Sequence, residues 1–389
     1  MQALNNALPK NLQECHERFF ESACKINPQF EYENAQLALK FLEQFDEPDG
    51  QYLAIAKKIL DSFLEEYGSE SQYLDAEGRK LDQEETHQAI TDYLENLGVQ
   101  EWISINFQKN QVAPTSVTHD PKTGKCKMNI KLPCEYREGR MMGVLDHEIG
   151  THFLRKHNEK LQQWYKKREK FDMKTCIATE EGLACTNQMV QTVKDGKCRP
   201  FLYRSALNYY AAYMAKQLSF VDLFRDLEKY VNSPQSRWKF VLRVKRGLTD
   251  TSQAGGLYKD QVYLEGAVKV LQRRKTLNFK ALLCGKLSLF DYDREDIHSM
   301  LNYEGQLLPP FMAEMDEYMR CLDEIAKTNH IDEDLVESQW GSEDEKKIEI
   351  QERLENNNFI ANIADIIPPL DVDIDQVIPK LEVDHHEEG

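Results

Sequence analysis

The run His147-Glu148-Ile149-Gly150-Thr151-His152, reached through the apolar turn Met141-Met142-Gly143-Val144-Leu145, constrains this chain more than any other stretch. The zinc-peptidase pattern His-Glu-x-x-His sets two histidines four apart, so that both imidazoles meet one ion on one helical face. Here they are five apart. On a regular helix five residues subtend about 500°, which leaves the rings roughly 140° apart. That separation is poor for chelation. A one-residue bulge or a kink restores it, and Gly150, inside the run, is where a helix bends cheaply. The run therefore predicts either a distorted turn at Gly150 or two ordinary histidines on a helix.

A hydrolytic zinc needs a third protein ligand and an open position. Ala178-Thr179-Glu180-Glu181-Gly182-Leu183-Ala184 places a carboxylate 29 residues past His152, at the start of a helical stretch able to return as an antiparallel neighbour. Glu-Gly-Leu-Ala resembles the Glu-Gly-Phe-Ala segment of aminopeptidase-like zincins, in which the glutamate before the glycine binds zinc. Glu181 is the preferred ligand and Glu180 the second choice. His119 lies at a strand end and His157 in a Lys/Asn-rich stretch, whereas His385 and His386 fall in an acidic tail. None of the four is expected to bind a metal.

Charge is unevenly placed. The chain of 389 residues carries a net −17. Residues 121–246 hold 26 basic and 13 acidic side chains, a local +13, and the remainder is strongly acidic. A basic segment in an acidic protein reads either as solvated helix surface or as a footprint for an acidic partner. Nucleic acid would suit such a footprint, but there is no zinc finger or aromatic-basic recognition motif, and the pI of about 5.2 argues further against it. No apolar run approaches the ~18 residues that span a bilayer, and the first residues lack the pattern of a signal peptide. Nine scattered cysteines, without Cys-x-x-Cys, fit free thiols in a reducing compartment. The cytoplasm is expected, with neither membrane nor nucleic acid as partner.

Three regions are expected: a helical N-terminal region over 1–98, a catalytic region over 99–335 and an acidic, weakly ordered tail over 336–389. Helical spacing marks Phe30–Phe45, Leu53–Leu64 and 83–97, the last stopping at Gly98. Short β-type runs follow at Trp102–Phe107, Thr115–Thr118 and Lys127–Leu132. The last two flank Asp120-Pro121-Lys122-Thr123-Gly124 and read as a hairpin. From Gly143 helices are expected through about 170 and over 180–193, 203–231, 256–273 and 310–327, with loops at 232–235 and 247–256. Residues 341–389 carry 14 acidic and 4 basic side chains, with prolines at 368, 369 and 379. The fold class expected is α+β: mostly helical, with a small mixed sheet before the catalytic helix.

Four stretches together resemble the microtubule-associated tyrosine carboxypeptidase family. They are Leu132–Arg140 running into Gly143–His152, the segment Glu180–Ala184, the segment Arg243–Ser252, and Lys259–Gly266. The resemblance extends over about 30–330 and leaves out the tail. Bacterial relatives carry Gln-Glu-Gly-Leu-Ala where this chain has Glu180 first, and only the second glutamate is common to both versions. The resemblance implies a zincin-like metallopeptidase fold with His147, His152 and Glu181 on zinc and Glu148 as general base. It also implies removal of the C-terminal tyrosine of α-tubulin, with microtubules as partner, in the cytoplasm on the microtubule cytoskeleton, axonemes included. The basic segment then suits the Glu-rich tubulin tail.

A carboxypeptidase must neutralise its substrate's terminal carboxylate. Arg243, Lys245 and Arg246 are the candidates, and each also reads as an ordinary charged helix end. Tyr263 is a candidate donor to the oxyanion, or a buried structural tyrosine. Two rival readings stand beside this one. The first is a zinc peptidase acting on another acidic C-terminus. The second is a microtubule-binding protein whose site has lapsed, which the retained Glu148 disfavours.

Overall fold

Helix ends follow the capping chemistry of the chain. Asp82 accepts a hydrogen bond from the Glu85 amide at 2.8 Å, and the Glu85 carboxylate accepts one from the Asp82 amide at 3.0 Å. This reciprocal box starts the helix Gln83–Leu97, which stops at Gly98 in a left-handed conformation (φ 71°). The side chains of Asn34, Ser69, Ser219 and Ser233 cap four further helices by accepting from an amide of the first turn. The computed structural model describes residues 8–331, except 110–114, 120–122 and 124. The expected tail over 336–389 and most of the hairpin turn at 120–124 lie outside the described residues.

In chain order the helices are α1 (Leu12–Glu21), α2 (Ala35–Leu42), α3 (Leu53–Tyr67), α4 (Glu70–Ala76) and α5 (Gln83–Leu97). Strands β1 (Ile103–Gln108), β2 (Thr115–His119) and β3 (Cys126–Lys131) follow, then α6 (Glu138–His147), a π-helical segment (Glu148–Phe153) and α7 (Leu154–Glu159). Next come α8 (Ile177–Gln188), α9 (Val190–Asp195), α10 (Tyr203–Ala215), α11 (Phe220–Asp226), α12 (Pro234–Lys245) and α13 (Gln261–Gln272). Three short helices, α14 (Phe279–Leu282), α15 (Leu289–Asp293) and α16 (Glu295–His298), lead to α17 (Met315–Thr328). The sheet has order β1-β3-β2, with β3 antiparallel to β2 and parallel to β1. The chain is thus mostly helical with a small mixed sheet, in agreement with the α+β expectation.

Three expected helices are interrupted, the stretch 180–193 at Met189, between α8 and α9. The stretch running to 170 gives way after Glu159 to turns and a 3-10 segment at Arg168–Phe171. The stretch 203–231 breaks between Lys216 and Ser219, where the Ser219 hydroxyl caps α11 instead. All nine cysteines are free thiols. No described helix is long and apolar enough to cross a membrane.

Two large apolar clusters hold most of the described interior, with two smaller ones around Leu257 and Trp164. The larger joins α1, α3, α8, α10, α12, α13 and α17 through Phe19, Leu60, Phe63, Leu183, Leu207, Trp238 and Leu322. The second lies between the sheet, α5, α6 and the π segment, through Ile90, Leu94, Met128, Ile130, Leu145 and Ile149. Full burial of one such side chain contributes about 1.5–3 kcal/mol. Helix α8 is clamped between its neighbours by glycines. A Cβ on Gly182 would lie 2.0 Å from the Gly266 carbonyl carbon of α13, and one on Gly143 of α6 would lie 2.4 Å from Gln188 O. Backbone therefore packs on backbone at the place where α8 carries Glu180 and Glu181.

Candidate active site

Helix α6 ends at His147, and the chain continues as a π turn in which the Leu154 amide donates to Ile149 O, five residues back. The extra residue restores what a regular helix would lose. His152 Nε2 and His147 Nε2 lie 3.1 Å apart, with ring centroids at 4.8 Å. The widened turn is tied down from several elements. Thr151 Oγ1 donates to Asp146 O at 2.8 Å, Asn187 Nδ2 donates to Thr151 Oγ1 at 2.9 Å, and the Tyr318 hydroxyl donates to Asn187 Oδ1 at 2.7 Å. The Tyr93 hydroxyl donates to Asp146 Oδ1 at 2.9 Å. Burial pushes the Asp146 carboxyl up to about 7, against the pull of that hydrogen bond. Gly150 makes room as well as bending: a Cβ there would stand 2.6 Å from Tyr93 Oη and 2.9 Å from Phe311 Cε1.

The two glutamates of α8 divide their work. Ligand atoms of His147, His152 and Glu181 all lie within 4.8 Å of one another, with Glu181 Oε2 at 3.6 Å from His152 Nε2. Glu180 reaches the other nitrogen of the same ring, His152 Nδ1, at 2.8 Å. Its carboxylate also meets Arg155, and Lys286 at 3.3 Å. Burial alone would raise the Glu180 carboxyl, but the charges of Arg155, Lys286 and His152 outweigh it and hold it well below the usual range. Arg155 is itself fixed by the carbonyls of Leu282, Gly285 and Leu287.

These residues fit a zinc ion. Ligand atoms about 2.0–2.2 Å from a tetrahedral ion stand roughly 3.3–3.6 Å from each other, close to the separations seen here. Glu181 Oε2 is buried and, among the described residues, accepts no hydrogen bond. Burial works against a proton on His152, yet Glu181 and Glu180 together raise that imidazole to about 10. A surplus of negative charge this strong suits a divalent cation. Two histidines and a glutamate are also a donor set of hydrolytic zinc. Glu148, the first residue of the π turn, is 4% exposed beside His147. His157 is engaged elsewhere, stacked on Trp102 at 4.3 Å.

The expected carboxylate-binding cations separate from one another. The Arg243 guanidinium is paired with Asp260 through Nε and, at 3.1 Å, through Nη2. Lys245 Nζ is ringed by the carbonyls of Ala215, Leu218, Gln253 and Gly255 at 2.5–3.4 Å. Arg246 is 2% exposed, and among the described residues its Nε and Nη2 have no hydrogen-bond partner. Tyr263 is fully buried, with Arg243 Cζ 6.0 Å from its ring centroid and the charge of Glu181 acting on its hydroxyl. Three side chains at or near the site went unread in the sequence: Arg155, Lys286 and Lys259. Arg155 carried one signal, its place three residues after His152. Lys286 carried none, since only the fold brings it to Glu180.

A family model described as microtubule-associated tyrosine carboxypeptidase matches residues 42–330. The chain belongs to that family. The microtubule-associated tyrosine carboxypeptidase 1 of Rattus norvegicus is 32% identical over 329 residues, covering 84% of this chain and 68% of that protein. The protein of the same name from Homo sapiens gives the same identity and coverage. Membership makes the chain a carboxypeptidase, and the matched stretch contains the π turn, both α8 glutamates and the Arg243–Tyr263 cluster.

Proposed function

We propose that this chain is a zinc-dependent carboxypeptidase of zincin-like fold that removes the C-terminal tyrosine of α-tubulin on microtubules. The observation that carries the proposal is the convergence of His147, His152 and Glu181, achieved by a π turn that has no other evident use. The ligand set would hold zinc, which supplies Lewis acidity to activate water and polarise the scissile carbonyl. Glu148 takes the proton from the attacking water and delivers it to the departing amine. Glu180 orients His152 through Nδ1, the usual support for a ligating imidazole. Tyr263 would donate a hydrogen bond as the carbonyl oxygen gains charge.

Two observations support the substrate. Relatives of this chain are named for microtubule association and for tyrosine. Residues 121–246 carry a local +13, suited to holding a Glu-rich tail through long-range attraction. The microtubule cytoskeleton is accordingly the proposed location. The test is to incubate the protein with polymerised tubulin and follow the mass of the α-tubulin tail. Loss of one tyrosine residue is expected. Loss of a different terminal residue, or no loss from zinc-loaded protein, would overturn the substrate.

A further inference from the structure

Helix α12 and the turn before α13 bring three cations, Arg243, Arg246 and Lys259, to act on one carboxylate, Asp260, and only some of them are answered. Arg243 takes Asp260 through two nitrogens, and Lys245 is satisfied by four backbone carbonyls. Arg246 and Lys259, each 2% exposed, are left. Among the described residues Lys259 Nζ, Arg246 Nε and Arg246 Nη2 have no hydrogen-bond partner, and the carboxylate nearest Lys259 is Asp260 at 4.0 Å. Buried charges in this condition are strongly unfavourable, so they persist where an anion is meant to meet them.

The pair is held in place. Arg246 leaves α12 with an extended backbone (φ −61°, ψ 145°), and Gly247 follows at φ 95°. Tyr32 Oη accepts from the Gly247 amide at 2.6 Å and donates to Leu248 O at 3.1 Å, fixing that turn. The loop then folds back, and the Leu257 amide donates to Val244 O at 2.6 Å, which sets Lys259 beside the end of α12. Lys259 also lies close enough to the metal triad to feel the charge of Glu181. Tyr263, one turn before the Gly266–Gly182 crossing, feels Glu181 and Arg243 alike.

We propose that Arg246 and Lys259 together receive the terminal α-carboxylate of the peptide substrate, while Arg243 and Lys245 only build the site. The inference rests on the zinc-peptidase reading of His147, His152 and Glu181. It assigns the role differently from helix-end position alone, because Lys259 joins the site while Arg243 and Lys245 leave it. Arg246 supplies a planar fork and Lys259 a point charge, a combination that separates a carboxylate from an amide. Burial lowers the Lys259 ammonium to about 8, with Asp260 acting in the opposite direction. A poorly solvated, electropositive spot strengthens any bond to an arriving anion.

The experiment uses the zinc-loaded protein and two probes, N-acetyl-tyrosine and N-acetyl-tyrosinamide. The acid is expected to raise the melting temperature and the amide to leave it unchanged. For a Glu-rich peptide ending in tyrosine, Lys259→Met is expected to lower kcat/KM by about 100-fold, mostly through KM. Zinc content should hold, and Lys259→Arg should recover part of the loss. Lys58→Met, at an exposed lysine of α3 outside the basic segment 121–246, serves as the control and should match the parent. A folded, zinc-loaded Lys259→Met with unchanged KM would overturn the inference while leaving the peptidase reading intact. Equal stabilisation by acid and amide would overturn it even if the variant failed to fold. A parent protein that binds zinc and the acid yet cleaves no peptide would overturn the peptidase reading instead.

Discussion

Glu180 Oε1 lies 2.8 Å from Nδ1 of His152, so the ring that offers Nε2 to the metal site is held from behind by a buried carboxylate. Such support orients the ligand and raises its basicity. Glu180→Ala is expected to weaken zinc affinity by about 10–100-fold, read by competition with a chelator. Glu180→Gln should cost less, because its amide oxygen can still accept from Nδ1. Unchanged affinity in the alanine variant would remove Glu180 from the support of the site.

Glu148→Gln keeps size and hydrogen-bonding capacity but removes the base. Turnover of a tyrosine-terminated peptide should fall by ~100-fold or more, with zinc content unchanged. His152→Ala, by contrast, should lower zinc content and activity together. Full turnover in Glu148→Gln would require another base.

The glycines of the site test its packing. A Cβ on Gly150 would meet Tyr93 and Phe311, and one on Gly182 would run into the backbone of Gly266. Alanine at either position is expected to cost about 1–3 kcal/mol in urea unfolding, with impaired zinc binding. Gly196→Ala is the comparator: its φ is 64° with nothing within 4 Å of an added Cβ. There only backbone strain acts, roughly 1–2 kcal/mol, with zinc binding intact.

Asp260 sets an acid limit. Burial alone would raise its carboxyl, but Arg243, Lys259 and Arg246 outweigh it and lower it from 3.8 to about 2. A carboxyl depressed in the folded state contributes stability that is present above its unfolded value. That contribution is lost as pH falls from about 4 toward 2. Thermal unfolding followed over that range should show a steeper loss for the parent than for Asp260→Asn. The variant should also be less stable at neutral pH, since Arg243 would lose its charged partner.

Attraction between the basic segment and an acidic tail is screened by salt. Apparent affinity for polymerised tubulin should weaken steeply as ionic strength passes through ~0.15 M, where the screening length is about 8 Å. Reversing exposed Lys166 and Lys167 should reduce binding modestly and flatten this dependence. A salt-insensitive interaction would show that the local +13 takes no part.

The sequence by itself determined the local events. The box at Asp82 and Glu85, the stop at Gly98, the β2–β3 pairing and the five-residue histidine spacing around Gly150 all depend on residues within short stretches of chain. Five-residue spacing of His147 and His152 made an ordinary helix inadequate for chelation, so the sequence offered a distorted turn or two ordinary histidines, and the structure takes the turn. The tertiary structure alone decided which glutamate faces His152 Nε2 and which faces Nδ1, because Gly143, Gly182 and Gly266 fix the rotation of α8. It also decided the fate of the cations. Arg243, Lys245 and Arg246 look alike along the chain, yet one meets Asp260, one meets four carbonyls and one meets neither. Lys259 joins them only because the loop after Gly247 folds back on Val244. Charge is written in the sequence, but the partners that neutralise it are assigned by contacts between segments far apart in the chain.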